Sequence, residues 1–135
     1  MSHEIKKTIN INKGISQVSL YVRDVAHLAD WSNFFTRIIK RRNNVACFET
    51  KLGEAISTIV NQYDENHLTI MSKFKANKHR DAADIYLHGL SDNICELTLV
   101  VKPKFNADEQ FLNELEANMT AELSQLKKNV EATYE

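Results

Sequence analysis

Residues 3–12, HEIKKTININ, set Ile5, Lys7, Ile9 and Ile11 on one side of an extended chain and Glu4, Lys6, Thr8 and Asn10 on the other. A period of two with one apolar face predicts a strand, with Lys7 the one charge on that face. After Gly14 the period lengthens. Ile15, Val18, Val22, Val25, Ala26 and Ala29 fall within about 100° on a helical wheel. A second apolar set, Leu28, Trp31, Phe34 and Phe35, follows at helical spacing on a different face. Two short helices meeting near Asp24 account for this change of face, with Asp24 placed to cap the second. From 36 to 102 the pattern reads as a meander of strands. TRIIKRR and VACFETK flank Asn43-Asn44, a pair that tolerates the positive φ of a tight turn. Leu52-Gly53 marks the next turn, and HLTIMSKF, AADIYLHG and ICELTLVV each alternate with one apolar side. Such strands suit an antiparallel sheet with one face on a core and one on water.

The last segment has the longest period-3.6 pattern. Asn106 and Glu109 form a capping box, with Pro103 just before it and Asp108 in the first turn. Phe111, Leu112, Leu115, Met119, Leu123, Leu126 and Val130 then lie within about 120° of arc. This predicts one amphipathic helix over 107–130 whose apolar stripe must lie on the sheet. Its Phe111, Leu115, Met119 and Leu126 are expected to meet the strands around Ile70 and Leu97.

Composition narrows the function more by exclusion. The 135 residues fit one domain, 1–135, and 43% hydrophobic against 26% charged residues is the balance of a chain with a real core. A formal charge of −1 gives no global pull towards nucleic acid or an anionic membrane. Three glycines argue against a phosphate-cradling loop, and no nucleophile elbow or dinucleotide fingerprint is present. The five histidines lack ligand-like spacing, so no metal and no cofactor is expected. Cys47 and Cys95 stand in apolar strand-like runs and read as buried free thiols. The amino terminus lacks the apolar stretch of a signal peptide and no run approaches a membrane span, which suggests a cytoplasmic protein without an integral membrane segment. The basic groups Lys40–Arg42 and Lys73, Lys75, Lys78, His79, Arg80 read as solvated strand ends, since the aromatic interleaving of a nucleic-acid surface is missing.

The order strand, two short helices, about six antiparallel strands and one long helix resembles the SRPBCC superfamily. Its helix-grip fold is shared by START-type lipid-transfer domains, the birch-pollen allergen class and polyketide cyclase/dehydrase-like proteins. The resemblance rests on VRDVAHLADWSNFF, similar to the family's Asp, short gap, Trp-x-x-Phe stretch. It rests also on FETKLGEAISTIV, similar to its strand–turn–Gly–strand hairpin, and on the end helix closing on ELSQLKKNVE. It implies an α+β fold in which a curved antiparallel sheet of about seven strands wraps the long helix, commonly with a cavity between helix and sheet. Trp31 and Phe35 would stand where the short helices meet the sheet, as core anchors or as the lip of that cavity. Its other expected boundaries are Met71, Phe111 and Met119.

Two further candidates carry polar chemistry. Glu122 projects inside the apolar arc of the end helix, where desolvation would raise its pKa, unless its carboxylate reaches water. Tyr86 and His88 share a strand face opposite Ile85 and Leu87. They face solvent if the latter pair is core, and line the cavity if the register is reversed. The function expected is binding of a small hydrophobic or amphipathic ligand, lipid or polyketide-like. A cyclase- or dehydratase-like enzyme and a protein-interaction or antitoxin-like module are the alternatives.

Overall fold

The computed structural model describes residues 4–51, 53–61, 66–76, 80–102 and 109–135, apart from the side chains of Asn61, Arg80, Asp81 and Phe111. Strand β1 (Ile5–Ile11) leads into helix α1 (Ile15–Val22), a 3-10 turn (Val25–His27) and helix α2 (Leu28–Trp31). Strands β2 (Phe35–Arg42), β3 (Val45–Thr50), β4 (Gly53–Asn61), β5 (His67–Phe74), β6 (Arg80–Ser91) and β7 (Ile94–Val101) follow. Helix α3 (Glu109–Thr133) ends the chain. The strands form one antiparallel sheet in the order β1-β7-β6-β5-β4-β3-β2. The sheet curves around α3, the helix-grip arrangement expected from the sequence.

Local chemistry sets the boundaries. Asn43 takes φ 56° in the β2–β3 turn and Gly53 takes φ 100° entering β4, both left-handed conformations that suit these residue types. Asp24 accepts from the Ala26 amide at 3.0 Å and so caps the 3-10 turn where the helical face changes. Gly14 leads into α1 so close to the Asp92 carbonyl that an added Cβ would stand 2.7 Å from its oxygen, so only glycine fits. The capping box proposed at Asn106 and the residues Pro103 and Asp108 lie outside the described residues.

One face of the sheet carries the core. Ile11, Phe48, Leu68, Ile85 and Leu97 are wholly enclosed with Met119, Leu126 and Val130 of α3, and Ile70 belongs to the same cluster. Lys7, the charge on the apolar face of β1, pairs with Glu116 of α3 at 2.6 Å. The carboxyl end of α3 is tied to the start of the chain. Lys127 Nζ donates to the Asn10 carbonyl at 2.9 Å, the Asn12 amide donates to Glu131 at 2.9 Å, and Lys13 Nζ donates to the Tyr134 carbonyl at 2.6 Å. Cys95 is buried as expected, whereas Cys47 is a half-buried thiol on the outer face beside Lys75. Alternation decides this, because Ala46 and Phe48 take the inner face of β3.

Candidate functional site

Helix α3 does not close evenly on the sheet. In its carboxyl half Met119, Leu123, Leu126 and Val130 are all buried, and α1 and α2 complete their surroundings. In its amino half Leu112 and Leu115 remain partly exposed. The Lys7–Glu116 and Lys127–Asn10 contacts orient the helix along β1, so the amino half lies towards Ile5 and hence towards Val101 and Ala83 in the register. At that end the inner face changes character. Ala46, Ser57 and Ser72 stand side by side across β3, β4 and β5, with Ala83 one step further along the face on β6. The Ser57 and Ser72 hydroxyls, both buried, bond each other at 2.8 Å. Small side chains here take the place of the Ile59–Ile70 pair in the row on one side and of Phe48 and Phe74 in the row on the other.

Aromatic rings border this band. Phe35 meets Phe48 edge-on with centroids 5.1 Å apart, and Phe34 meets Phe74 at 5.8 Å. Phe34 and Phe35 follow the turn that leaves α2, and Glu122 of α3 holds that turn. Its Oε2 accepts from Ser32 Oγ at 2.6 Å and from the Asn33 amide at 2.9 Å, while the Phe34 amide donates to Ser32 Oγ at 3.2 Å. Nearby, Asn129 Nδ2 donates to the Asp30 carbonyl at 3.1 Å. Burial pushes the Glu122 carboxyl above its ordinary value, against the pull of the Ser32 hydroxyl and the Asn33 amide. It is a half-buried acceptor joining α3 to the α2–β2 turn.

Of the candidates read from the sequence, Trp31, Phe35 and Met119 are interior, and Glu122 lies at the interior's edge. The Phe111 side chain lies outside the described residues. Met71, Tyr86 and His88 are corrections: all three are exposed on the outer face of the sheet. Strict alternation puts Ile70 and Ser72, and Ile85 and Leu87, inward. The one register shift of β6 comes after them, between Gly89 and Ser91, too late to reverse their facing. Tyr86 instead stacks on His67, with centroids 4.2 Å apart, and His67 Nε2 is 2.9 Å from Asp84 Oδ1. Asp84 and Tyr86, with Lys6, Thr98 and Val100, border a shallow outer depression of about 300 Å³. The sequence reading missed Ser57, Ser72, Phe48 and Phe74. The only local signal was a pair of serines at apolar positions of neighbouring strands, and their contact depends on a register that composition does not encode.

No protein-family model matches this sequence, and neither does any curated protein. Solved structures do match. A START superfamily protein from Mycobacterium smegmatis superposes with a TM-score of 0.72 at 13% identity, covering 97% of this chain and 99% of that one. An aromatase/cyclase from a Streptomyces species gives 0.73 at 13% identity, covering 100% and 97%. A truncated norcoclaurine synthase from Thalictrum flavum gives 0.66 at 10% identity, covering 96% and 94%. The chain therefore has the helix-grip fold that these structures share. Identities this low carry the fold alone. No helix of the described residues is long and apolar enough to cross a membrane.

Proposed function

We propose that the protein binds a small hydrophobic or amphipathic ligand, lipid or polyketide-like, between the amino half of α3 and the inner face of the sheet. The observation that carries this reading is the uneven closure of α3: Leu112 and Leu115 stay partly exposed at the end of the helix that points to the part of the inner face carrying the small residues Ala46, Ser57, Ser72 and Ala83. An apolar molecule there would complete the layer that Met119 to Val130 complete by themselves further along. Phe34, Phe35 and Phe74 would form its aromatic wall, and Trp31 and Met119 its inner limit. The buried hydroxyl pair and the Glu122 carboxyl offer polar anchors for a carbonyl, hydroxyl or carboxyl group. The structural neighbours that carry the same fold include an aromatase/cyclase and a START protein, which fits a ligand of this size and polarity.

The test is a titration of the isotope-labelled chain with fatty acids and with flat polycyclic aromatics, followed by amide shifts. Saturable shifts at Ser57, Ser72 and Leu115 are expected, and Ser72→Leu, which fills the floor, is expected to abolish them while the fold persists. Shifts confined to other residues, or none with either class, would remove the reading. The carboxyl of Glu122 also favours a second reading, acid–base chemistry on such a ligand of the cyclase or dehydratase type. Turnover of a bound polycyclic precursor that disappears in Glu122→Gln, with binding retained, would separate it from simple binding.

A further inference from the structure

The outer face of the sheet divides into two regions. In the register of β2 to β6, Arg42, Val45, Thr58, Met71 and Ala82 form one cross-strand row, and Lys40, Cys47, Ile56 and Lys73 form the next. Val60 stands beside the first row on β4. Val45, Ile56, Val60 and Met71 are 44%, 43%, 37% and 45% exposed, and in the register they surround Thr58, two as its cross-strand partners and two as its neighbours along β4. Single apolar residues on a surface need no explanation, but a contiguous strip does.

Charge indicates what such a strip faces. Among the described residues, the acids of this region are already engaged: Glu49 with Arg37 at 2.8 Å, Glu54 with Lys75 at 3.0 Å, and Asp24 with Arg41 at 3.1 Å. Lys40, Arg42 and Lys73 have no carboxylate within 4.0 Å among the described residues. The near-zero charge of the whole chain thus conceals a local surplus of cations around an apolar strip.

We propose that this face docks on an anionic lipid membrane surface. The sheet closes around α3, so its outer face is convex and offers a crest of side chains instead of a groove for a helix. The neighbouring edge strand β2 is interrupted by register shifts after Phe35 and Ile38 and carries Arg37, Lys40 and Arg42, which opposes addition of a partner strand. Ile56 and Met71 can enter the boundary between headgroups and acyl chains while Lys40, Arg42 and Lys73 meet anionic headgroups. Each cation near such a surface contributes about a fivefold gain in partition, so the preference over neutral lipid is on the order of 100-fold. This inference is independent of any ligand inside the domain.

Sedimentation of the full chain with vesicles tests it, using phosphatidylcholine alone and with about 30 mol% phosphatidylserine. Partition is expected on the phosphatidylserine vesicles only, and it should fall away in about 0.5 M salt. Lys40→Glu with Arg42→Glu should weaken it by roughly 25-fold or more. Ile56→Ser with Met71→Ser should weaken it with every cation in place. Lys6→Glu with Lys102→Glu, the same charge change on the far side of the same face, should leave most of the partition intact. Equal partition on both vesicles, none on either, or an equal loss in the far-side variant would overturn the proposal. So would a dimer by light scattering that the Ile56/Met71 variant turns into monomer while vesicle partition is absent, since the face would then belong to a second copy. Unchanged melting points of the variants establish that each remains folded.

Discussion

One oxygen of Glu122 joins parts of the chain about ninety residues apart, accepting from the Ser32 hydroxyl and the Asn33 amide together. Because burial raises the pKa of this carboxyl in the folded protein, the native state holds the proton more tightly than the unfolded chain does. The sign follows. Below the ordinary Glu value of about 4.3 the group carries no penalty, and stability drops as pH rises from there through its higher folded value. Glu122→Gln retains an acceptor for Ser32 and Asn33 but cannot ionise. Urea midpoints of the native protein should therefore fall relative to Glu122→Gln as pH rises across that window, and above it the difference should stay constant. A difference constant across the window too would mean that the carboxyl is effectively solvated. The position of Glu122 inside the apolar arc was legible in the sequence. Its partners were not, because hydrogen bonds across such a separation leave no periodic trace. Tyr86 and His88 illustrate the same limit: alternation gives two faces but not which one is core, until Ile85 and Leu87 are seen to be enclosed.

Among the elements, α3 behaves as two helices in one. Its carboxyl half buries Leu123, Leu126 and Val130, whereas Leu112 and Leu115 of its amino half stay partly exposed. Leu126→Ala should cost about 2–5 kcal/mol, the range for a buried leucine. Leu115→Ala should cost about 1–2 kcal/mol, because less of its surface leaves water on folding. Denaturant midpoints with unchanged slopes measure both. Equal losses would show the amino half to be as tightly held as the rest, and would remove the space assigned to a ligand. Here the sequence was most informative, since a sustained 3.6 or 2.0 periodicity identifies an element whatever lies opposite. Strand and long-helix positions follow from it, as does the cap at Asp24, whereas Phe34 and Phe35, read with the second short helix, come after its end at Trp31, and Phe35 opens β2. The unevenness of α3 does not, because Leu115 and Leu126 share the same stripe and differ only in what the sheet presents beneath them.

For the whole molecule the feature with the furthest reach is the placing of the first strand. Strands β2 to β7 pair in chain order, each with its neighbour, whereas β1 lies on β7 with Ile5 opposite Val101. The meander can grow by closing short loops, but β1 has to wait for a partner that is almost the whole chain away. Its lock is the end of α3, through Lys127, Glu131 and the Tyr134 carbonyl. Contacts made after the main barrier act on the rate of opening and leave the rate of folding nearly unchanged. Glu131→Ala should therefore steepen loss of the native state, raising the unfolding arm of a chevron plot several-fold while the folding arm stays in place. A slowed folding arm would instead put the junction of the two termini in the nucleus. If the first outcome holds, the lifetime of the folded protein, and with it resistance to proteases that attack the opened chain, is set where its two ends meet and not in its buried centre.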